Sequence, residues 1–482
     1  MSVIDHSPSA GTGAADPSPP RSWVPLLKRL HFYAGILIAP FLLVAAVTGG
    51  LYAVAPTVEK FVYADLLTTD SSGSPAPLAD QVRAAQLRFP DLMVSAVRPP
   101  ASAGDTTRVL FADPSLGESE TRAVFIDPVS TDVVGDSVSY GSAAALPLRT
   151  WLSGLHRNLH LGEPGRLYSE LAASWLWVVA LGGLMLWVAR YRNKRRNNPA
   201  KARLATVDRS ARGRTRNLNW HGVLGIWIAL GLLMLSATGL TWSRYAGENV
   251  GDLRSALSWT TPSVNTDLGA EPDAPSSGGG HDHGHGASSS GADTTVVTRN
   301  VGRLDAVLAA AREAGIDDAV QVGIPSTPHT AFTVTEVRRE WQLSPSSVAV
   351  EGDSGDIVDI SWFGDWPLAA KLTTWGIALH MGLLFGLASQ LALAALAVVL
   401  VIVIVRGYAM WWQRRPRNES RPTGTPPVRG PWRRVPPAAG VAGLVAVVAV
   451  GWFLPLLGIP LLVFLSADGA VGAWTRHRAT MT

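Results

Sequence analysis

Cysteine is absent from all 482 residues. Its absence removes a disulfide framework, a thiolate nucleophile, covalently attached c-type haem and any cysteine-ligated iron–sulfur cluster, so redox chemistry would need a cofactor held by other side chains. Charge is scarce as well: Asp, Glu, Lys and Arg make up 16% of the chain, against 47% for apolar residues. HExxH, Walker A and a GxSxG between strand and helix are missing, which withdraws the usual support for a metalloprotease, an ATPase or a hydrolase. The early string GTGAAD has no strand before it and lacks the third constrained glycine, so it supports no dinucleotide site. A formal charge of +4 does not argue for nucleic acid, because the Arg clusters stand beside apolar runs, where membrane topology explains them.

What the chain has in quantity is apolar sequence in runs of helix length. Residues 1–22 are small, acidic and Pro-rich and read as a disordered cytoplasmic tail rather than a cleaved signal peptide. The run over 23–56, with Lys28 and Arg29 at its start, predicts a first transmembrane helix leaving the cytoplasm. Residues 57–149 then form an external domain, with a helix in PLADQVRAAQLRFP and strands in TTRVLFADP, TRAVFIDP and the following VVGD. An amphipathic segment and a second span occupy 150–190, the basic loop 191–219 is cytoplasmic, and 220–243 is a third span. A second external domain, 244–368, carries a Gly/Ser/His-rich insertion, the helix RLDAVLAAAREAG and the strand pair SSVAVEGDSGDIVDI. A fourth span follows over 369–412, with room for an interfacial turn near its start; then come a cytoplasmic loop, 413–437, a fifth span, 438–465, and an external tail, 466–482. The expected fold is a polytopic α-helical membrane protein with about five transmembrane helices and two external α+β domains.

An internal repeat runs through this layout. His31, Gly35, Thr48 and Gly49 recur 190 residues later as His221, Gly225, Thr238 and Gly239. VFIDPVSTDVV recurs as VAVEGDSGDIV at an interval of 224, and the same interval carries His156, Leu159 and Gly162 onto His380, Leu383 and Gly386. Compositional likeness among apolar segments accounts poorly for matching histidines when the chain has only 11. The matches predict an internal duplication whose halves share one orientation, related by an axis along the membrane normal.

His31 and His221 fall at cytoplasmic helix starts, and His156 and His380 on the external side. Such histidines serve as interfacial anchors or packing residues, or they pair as axial ligands of b-type haem. In the second case Gly35 and Gly225, one turn later, leave space for a flat macrocycle. His160 competes with His156, being four residues on and on the same face, although the repeat favours His156. The segment around them also reads as an amphipathic surface helix, in which Arg157 and Arg166 could pair with haem propionates or an anionic external substrate. His281, His283 and His285 alternate in GGGHDHGHG, a pattern that binds Cu, Ni or Zn weakly or forms no defined site.

LHFYAG with TGGLY, VFIDPVSTDVVGD, LHRNLHLGEPGRLY, NWHGVLGIW with SATGLTW, and IALHMGLLFG together resemble PepSY-associated transmembrane proteins, a group that includes iron-regulated membrane proteins and ferric-siderophore reductases. The likeness runs from His31 to Arg415. It implies two external PepSY-like domains and a multi-pass protein of a bacterial inner (cell) membrane with its N-terminus in the cytoplasm. It also implies two haem b groups, held by His31, His221, His156 and His380, that pass electrons from a cytoplasmic or membrane donor to a ferric siderophore or other metal chelate. The rival readings are a non-enzymatic PepSY scaffold or regulator, and a haem or copper binding and delivery protein.

Overall fold

The computed structural model of the chain describes residues 24–269, 293–414, 427 and 437–479. The expected tail 1–22, the string with His281, His283 and His285, and most of loop 413–437 lie outside the described residues.

The first span is two helices, α1 (Val24–Leu37) and α2 (Ala39–Val62), rather than one over 23–56. Pro40 brings no N–H and so leaves the Ile36 carbonyl without its helical partner. The Tyr408 hydroxyl donates to that carbonyl at 2.9 Å and ties the kink to a distant helix. A short α3 (Ala64–Leu67) leads to α4 (Leu78–Arg88) and the strands β1 (Met93–Arg98), β2 (Thr107–Ala112), β3 (Glu120–Ile126) and β4 (Val133–Tyr140). Pro147 opens α5 (Pro147–Asn158), which ends where Leu159 turns left-handed at φ 54°. Gly162, at φ 63°, starts α6 (Glu163–Asn197), a conformation that costs glycine little. Then come α7 (Gly213–Leu240), α8 (Tyr245–Ala256), α9 (Thr294–Val301) and α10 (Leu304–Glu313). After β5 (Val320–Gly323), β6 (Phe332–Glu336), β7 (Ser347–Val350) and β8 (Ile357–Ser361), the fourth apolar stretch also divides. It gives α11 (Leu368–His380) and α12 (Leu387–Trp412), separated by a turn in which Gly382 and Gly386 take φ 73° and 52°.

The expected fifth span, 438–465, is corrected to a helical hairpin, α13 (Pro437–Phe453) and α14 (Pro455–Ala479). Gly451 and Gly458 meet across its tip, where a side chain on either would strike the other's backbone. The tip lies at the end of the bundle that carries the sheet, since Asn249 of α8 donates to the Phe453 carbonyl at 2.9 Å. Asp468, further along α14, forms a buried ion pair with Arg29 near the start of α1. Residues 466–479, expected as a tail, are therefore helix at the bundle end away from the sheet. Among the described residues, five helices are long and apolar enough to cross a membrane: α2, α6, α7, α12 and Pro455–Trp474 within α14. The chain is a polytopic membrane protein with an antiparallel sheet region.

The strands expected in two domains form one eight-stranded antiparallel sheet, ordered β4-β3-β2-β1-β5-β6-β7-β8. Its halves join where β1 meets β5, with Val97 opposite Val322. One face buries Val97, Val109, Phe111, Val322 and Phe332 under α4, α9 and α10. The Asp305 carboxylate of α10 accepts the backbone N–H of Leu78, at 2.8 Å, so the second half of the sheet region caps α4 of the first. The opposite face of the first half packs Leu110 and Phe125 against Leu66 and Leu67, seating the sheet on the helices.

Phe332 is 1% exposed and Leu87 is 85% exposed. We predict that Phe332→Ala destabilises the full chain by about 3–5 kcal/mol in denaturant unfolding, whereas Leu87→Ala stays within about 0.5 kcal/mol. Equal effects would contradict the shared core.

Candidate functional site

Four histidines meet in two pairs inside the helical bundle. His31 of α1 and His221 of α7 stand with ring centroids 6.2 Å apart and planes at 75°. His156 of α5 and His380, the last residue of α11, stand 6.4 Å apart at 52°. Metal–imidazole bonds are about 2.0 Å and the ring centre lies a little over 1 Å behind the nitrogen, so imidazoles on opposite sides of one metal have centroids about 6.3 Å apart. Both pairs have the spacing of a two-imidazole metal site.

Their orientation comes from neighbouring helices. The Val403 carbonyl, which can only accept, takes the His221 Nδ1–H at 2.9 Å. Thr48 sits 2.9 Å from His156 Nδ1 while its hydroxyl donates to the Val44 carbonyl at 2.8 Å. With its single proton on that carbonyl, the hydroxyl accepts the Nδ1–H of His156. Thr238 repeats the arrangement, 2.6 Å from His380 Nδ1 and donating to the Met234 carbonyl at 2.8 Å. The Val403 carbonyl fixes the Nδ1–H tautomer at His221, and the threonines support the same tautomer at His156 and His380 when each hydroxyl stays on its own helix carbonyl, which leaves Nε2 with its lone pair as a ligand. His31 has the backbone of Val179 beside it, without a well-formed hydrogen bond at Nδ1.

Glycine lets each ring lie against a helix backbone. An added Cβ would meet His156 Cε1 at 3.0 Å from Gly49, His380 Cε1 at 3.7 Å from Gly239, His31 Cε1 at 3.0 Å from Gly183 and His221 Cε1 at 3.6 Å from Gly407. Gly35 and Gly225 face no atom within 4 Å, which leaves open space one turn beyond the first pair. At the first pair the donor set, its spacing and this space fit a flat macrocycle held by two imidazoles; at the second pair the donor set and spacing do so.

Ring contacts recur at the intervals seen in the sequence: Thr48 and Thr238, and Gly49 and Gly239, are 190 apart, and Val179 and Val403, and Gly183 and Gly407, are 224 apart. The threonines stood in the sequence repeat without a role. Gly183 and Gly407 are not among the expected site residues, although extending the interval of 224 through the second and fourth spans also matches Trp187 with Trp411 and Arg190 with Arg414.

His160 departs from expectation. Because α5 ends at Asn158, His160 lies beyond the helix at φ 54° and does not share a face with His156. It is exposed, stacks on Trp151 with centroids 5.1 Å apart, and its Nε2 bonds the Trp151 carbonyl at 3.0 Å. Arg157 donates to the Tyr140 hydroxyl at 2.7 Å, and Arg166 pairs with Glu163 at 3.4 Å. Arg157 follows His156 directly on α5, and Arg166 stands on the next helix, α6. Among the described residues no three or more His, Asp or Glu gather as a metal cluster.

The profile of a family described as PepSY-associated TM region matches residues 28–414. No curated protein matches the chain.

Nitrogen-15 NMR of the haem-free chain, labelled at histidine, should report the Nδ1–H tautomer at His156, His221 and His380. Thr48→Val should release that preference at His156 alone and cost about 1–3 kcal/mol of stability. Protonated Nε2 in the unsubstituted chain would contradict the geometry.

Proposed function

Because the chain belongs to the PepSY-associated TM region family, we propose that it is a transmembrane electron carrier with two b-type haems, reducing a ferric siderophore or other metal chelate outside the cell. The observation that carries this reading is the meeting of four histidines in two pairs at 6.2 and 6.4 Å. His31 and His221 would hold one haem and His156 and His380 the other. A haem so held supplies a reversible one-electron Fe(III)/Fe(II) couple, drawn on by a cytoplasmic or membrane donor.

The chain's own residues supply orientation, separation and dryness. Thr48, Thr238 and the Val403 carbonyl hold Nδ1–H and so keep Nε2 available as a base. Seventeen residues separate His31 from Thr48 and His221 from Thr238, a rise of about 25 Å along the helices. That separation suits sites near the two faces of a hydrocarbon layer roughly 30 Å thick. Apolar side chains of α2, α6, α7 and α12 fill the space between helices and keep water out. Arg157 and Arg166, at the sheet end, offer guanidiniums for propionates or for an anionic chelate.

The orientation proposed puts the sheet outside. Lys28, Arg29, Arg195, Arg196 and Arg414 gather at the other end of the bundle, which is the cytoplasmic end by the positive-inside rule and suits an inner membrane. The hairpin of α13 and α14 would then return the chain to the cytoplasmic side. Equivalent contacts at intervals of 190 and 224 support an internal duplication with one PepSY-like unit in each half.

Purified in mild detergent after expression with ample haem, the chain should give a Soret band and about two haems per polypeptide. His31→Ala or His221→Ala, and separately His156→Ala or His380→Ala, should each leave about one, while His160→Ala leaves both. No Soret band, or haem content unchanged in all four pair variants, would favour a scaffold or regulator instead.

A further inference from the structure

The seam between sheet and helices holds more positive than negative charge. Arg98 of β1, Arg149 of α5 and Arg108 of β2 grip three consecutive carbonyls of the turn between β4 and α5. They donate to Ser142 at 2.7 Å, Ala143 at 2.8 Å and Ala144 at 3.2 Å. Arg98 also donates to Gln321 Oε1 at 2.7 Å, a neutral partner. Arg149 is 5% exposed, yet its Nε makes no hydrogen bond and faces Glu59 Oε2 at 3.7 Å. Glu59 is already engaged by the Leu146 N–H at 2.8 Å. Arg157 stands on the same side, on Tyr140. Glu59 and Asp105 lie within electrostatic reach of Arg108, whereas the charges beside the Arg98 guanidinium are the like charges of Arg108 and Arg149.

That imbalance is expensive where water is excluded, since buried charges require partners. Burial, and then the neighbouring Arg108 and Arg149, pull the Arg98 guanidinium down to about 9, so it remains charged at neutral pH. Each guanidinium has more N–H donors than these carbonyls occupy. Arg98 and Arg108 are half-buried, which leaves them reachable from outside, while Arg149 closes the floor. Arg149 precedes His156 by seven residues on α5, about 10 Å along the axis.

We propose that Arg98, Arg108 and Arg149 form a receptor for a carboxylate-bearing anion at the seam, on the sheet side of His156 and His380. The carboxylate comes from a metal chelate docked from outside or from a haem propionate. The inference deepens the electron-transfer reading by naming the chemistry that its outer site recognises.

Gallium(III) citrate, a redox-inert anionic chelate, should bind the haem-free full chain in calorimetry and release with added salt. Arg98→Gln or Arg108→Gln should weaken binding about tenfold, with Arg88→Gln, an exposed side chain at the end of α4, unchanged. Arg98→Lys keeps the charge and should retain most of the affinity, which separates loss of the receptor from loss of the fold. Binding to both haem-free and haem-loaded chain supports the receptor with the external chelate as occupant; binding to the haem-free form alone supports it with propionate as occupant. No binding in either form, or binding indifferent to both Gln variants, overturns it. If the chain binds gallium citrate but never takes up haem, the electron-transfer reading falls and the receptor stands.

Discussion

An imidazole between membrane helices must satisfy an N–H and a lone pair where no water reaches them. Here the N–H is taken by an acceptor on a neighbouring helix: Thr48 on α2 for His156, Thr238 on α7 for His380 and the Val403 carbonyl on α12 for His221. The acceptors can stand that close because the helix facing each ring has glycine at the contact, as at Gly49 and Gly407. Helix spacing and ring orientation are one constraint. Each pair also joins the two halves, α1 with α7 and α5 with α11, so the bundle is organised around them.

The sheet meets along the same line. Val97 and Val322 pair where the two four-stranded sets join, and Asp305 of one set caps α4 of the other. Relative motion of the halves would break strand pairing, a helix cap and both histidine pairs together. A rigid frame of this kind suits transfer between fixed sites, in which little has to move during turnover. The buried pair of Arg29 with Asp468 adds the C-terminal hairpin to the frame, though that hairpin lies outside the matched family region.

Much of this was legible in the sequence because the signals were long-range and chemically rare. Eleven histidines in the chain make two matching pairs hard to produce by accident, and apolar runs of helix length are unambiguous. Local breaks were harder to read. The kink ahead of Pro40 leaves the apolar run uninterrupted, and the turn at Gly382 and Gly386 lies inside a stretch that reads as one span. A spacing of four puts His160 on the face of His156 only where a helix continues, whereas Leu159 and Gly162 turn the chain out. The joining of two small domains into one sheet depends on the pairing of β1 with β5, and no residue in either strand advertises its partner. Thr48 and Thr238 show the limit most clearly, since a hydroxyl's role depends on what packs against it.

The central claim is that the two histidine pairs form one electron path across the membrane. Its most direct test uses haem-loaded chain in sealed vesicles with a reductant trapped inside and a ferric siderophore outside, followed by capture of external Fe(II). The account predicts reduction that stops in both His31→Ala and His380→Ala, each of which disables one pair. Reduction that survives either substitution, or a haem-loaded chain that never reduces the external chelate, would contradict it.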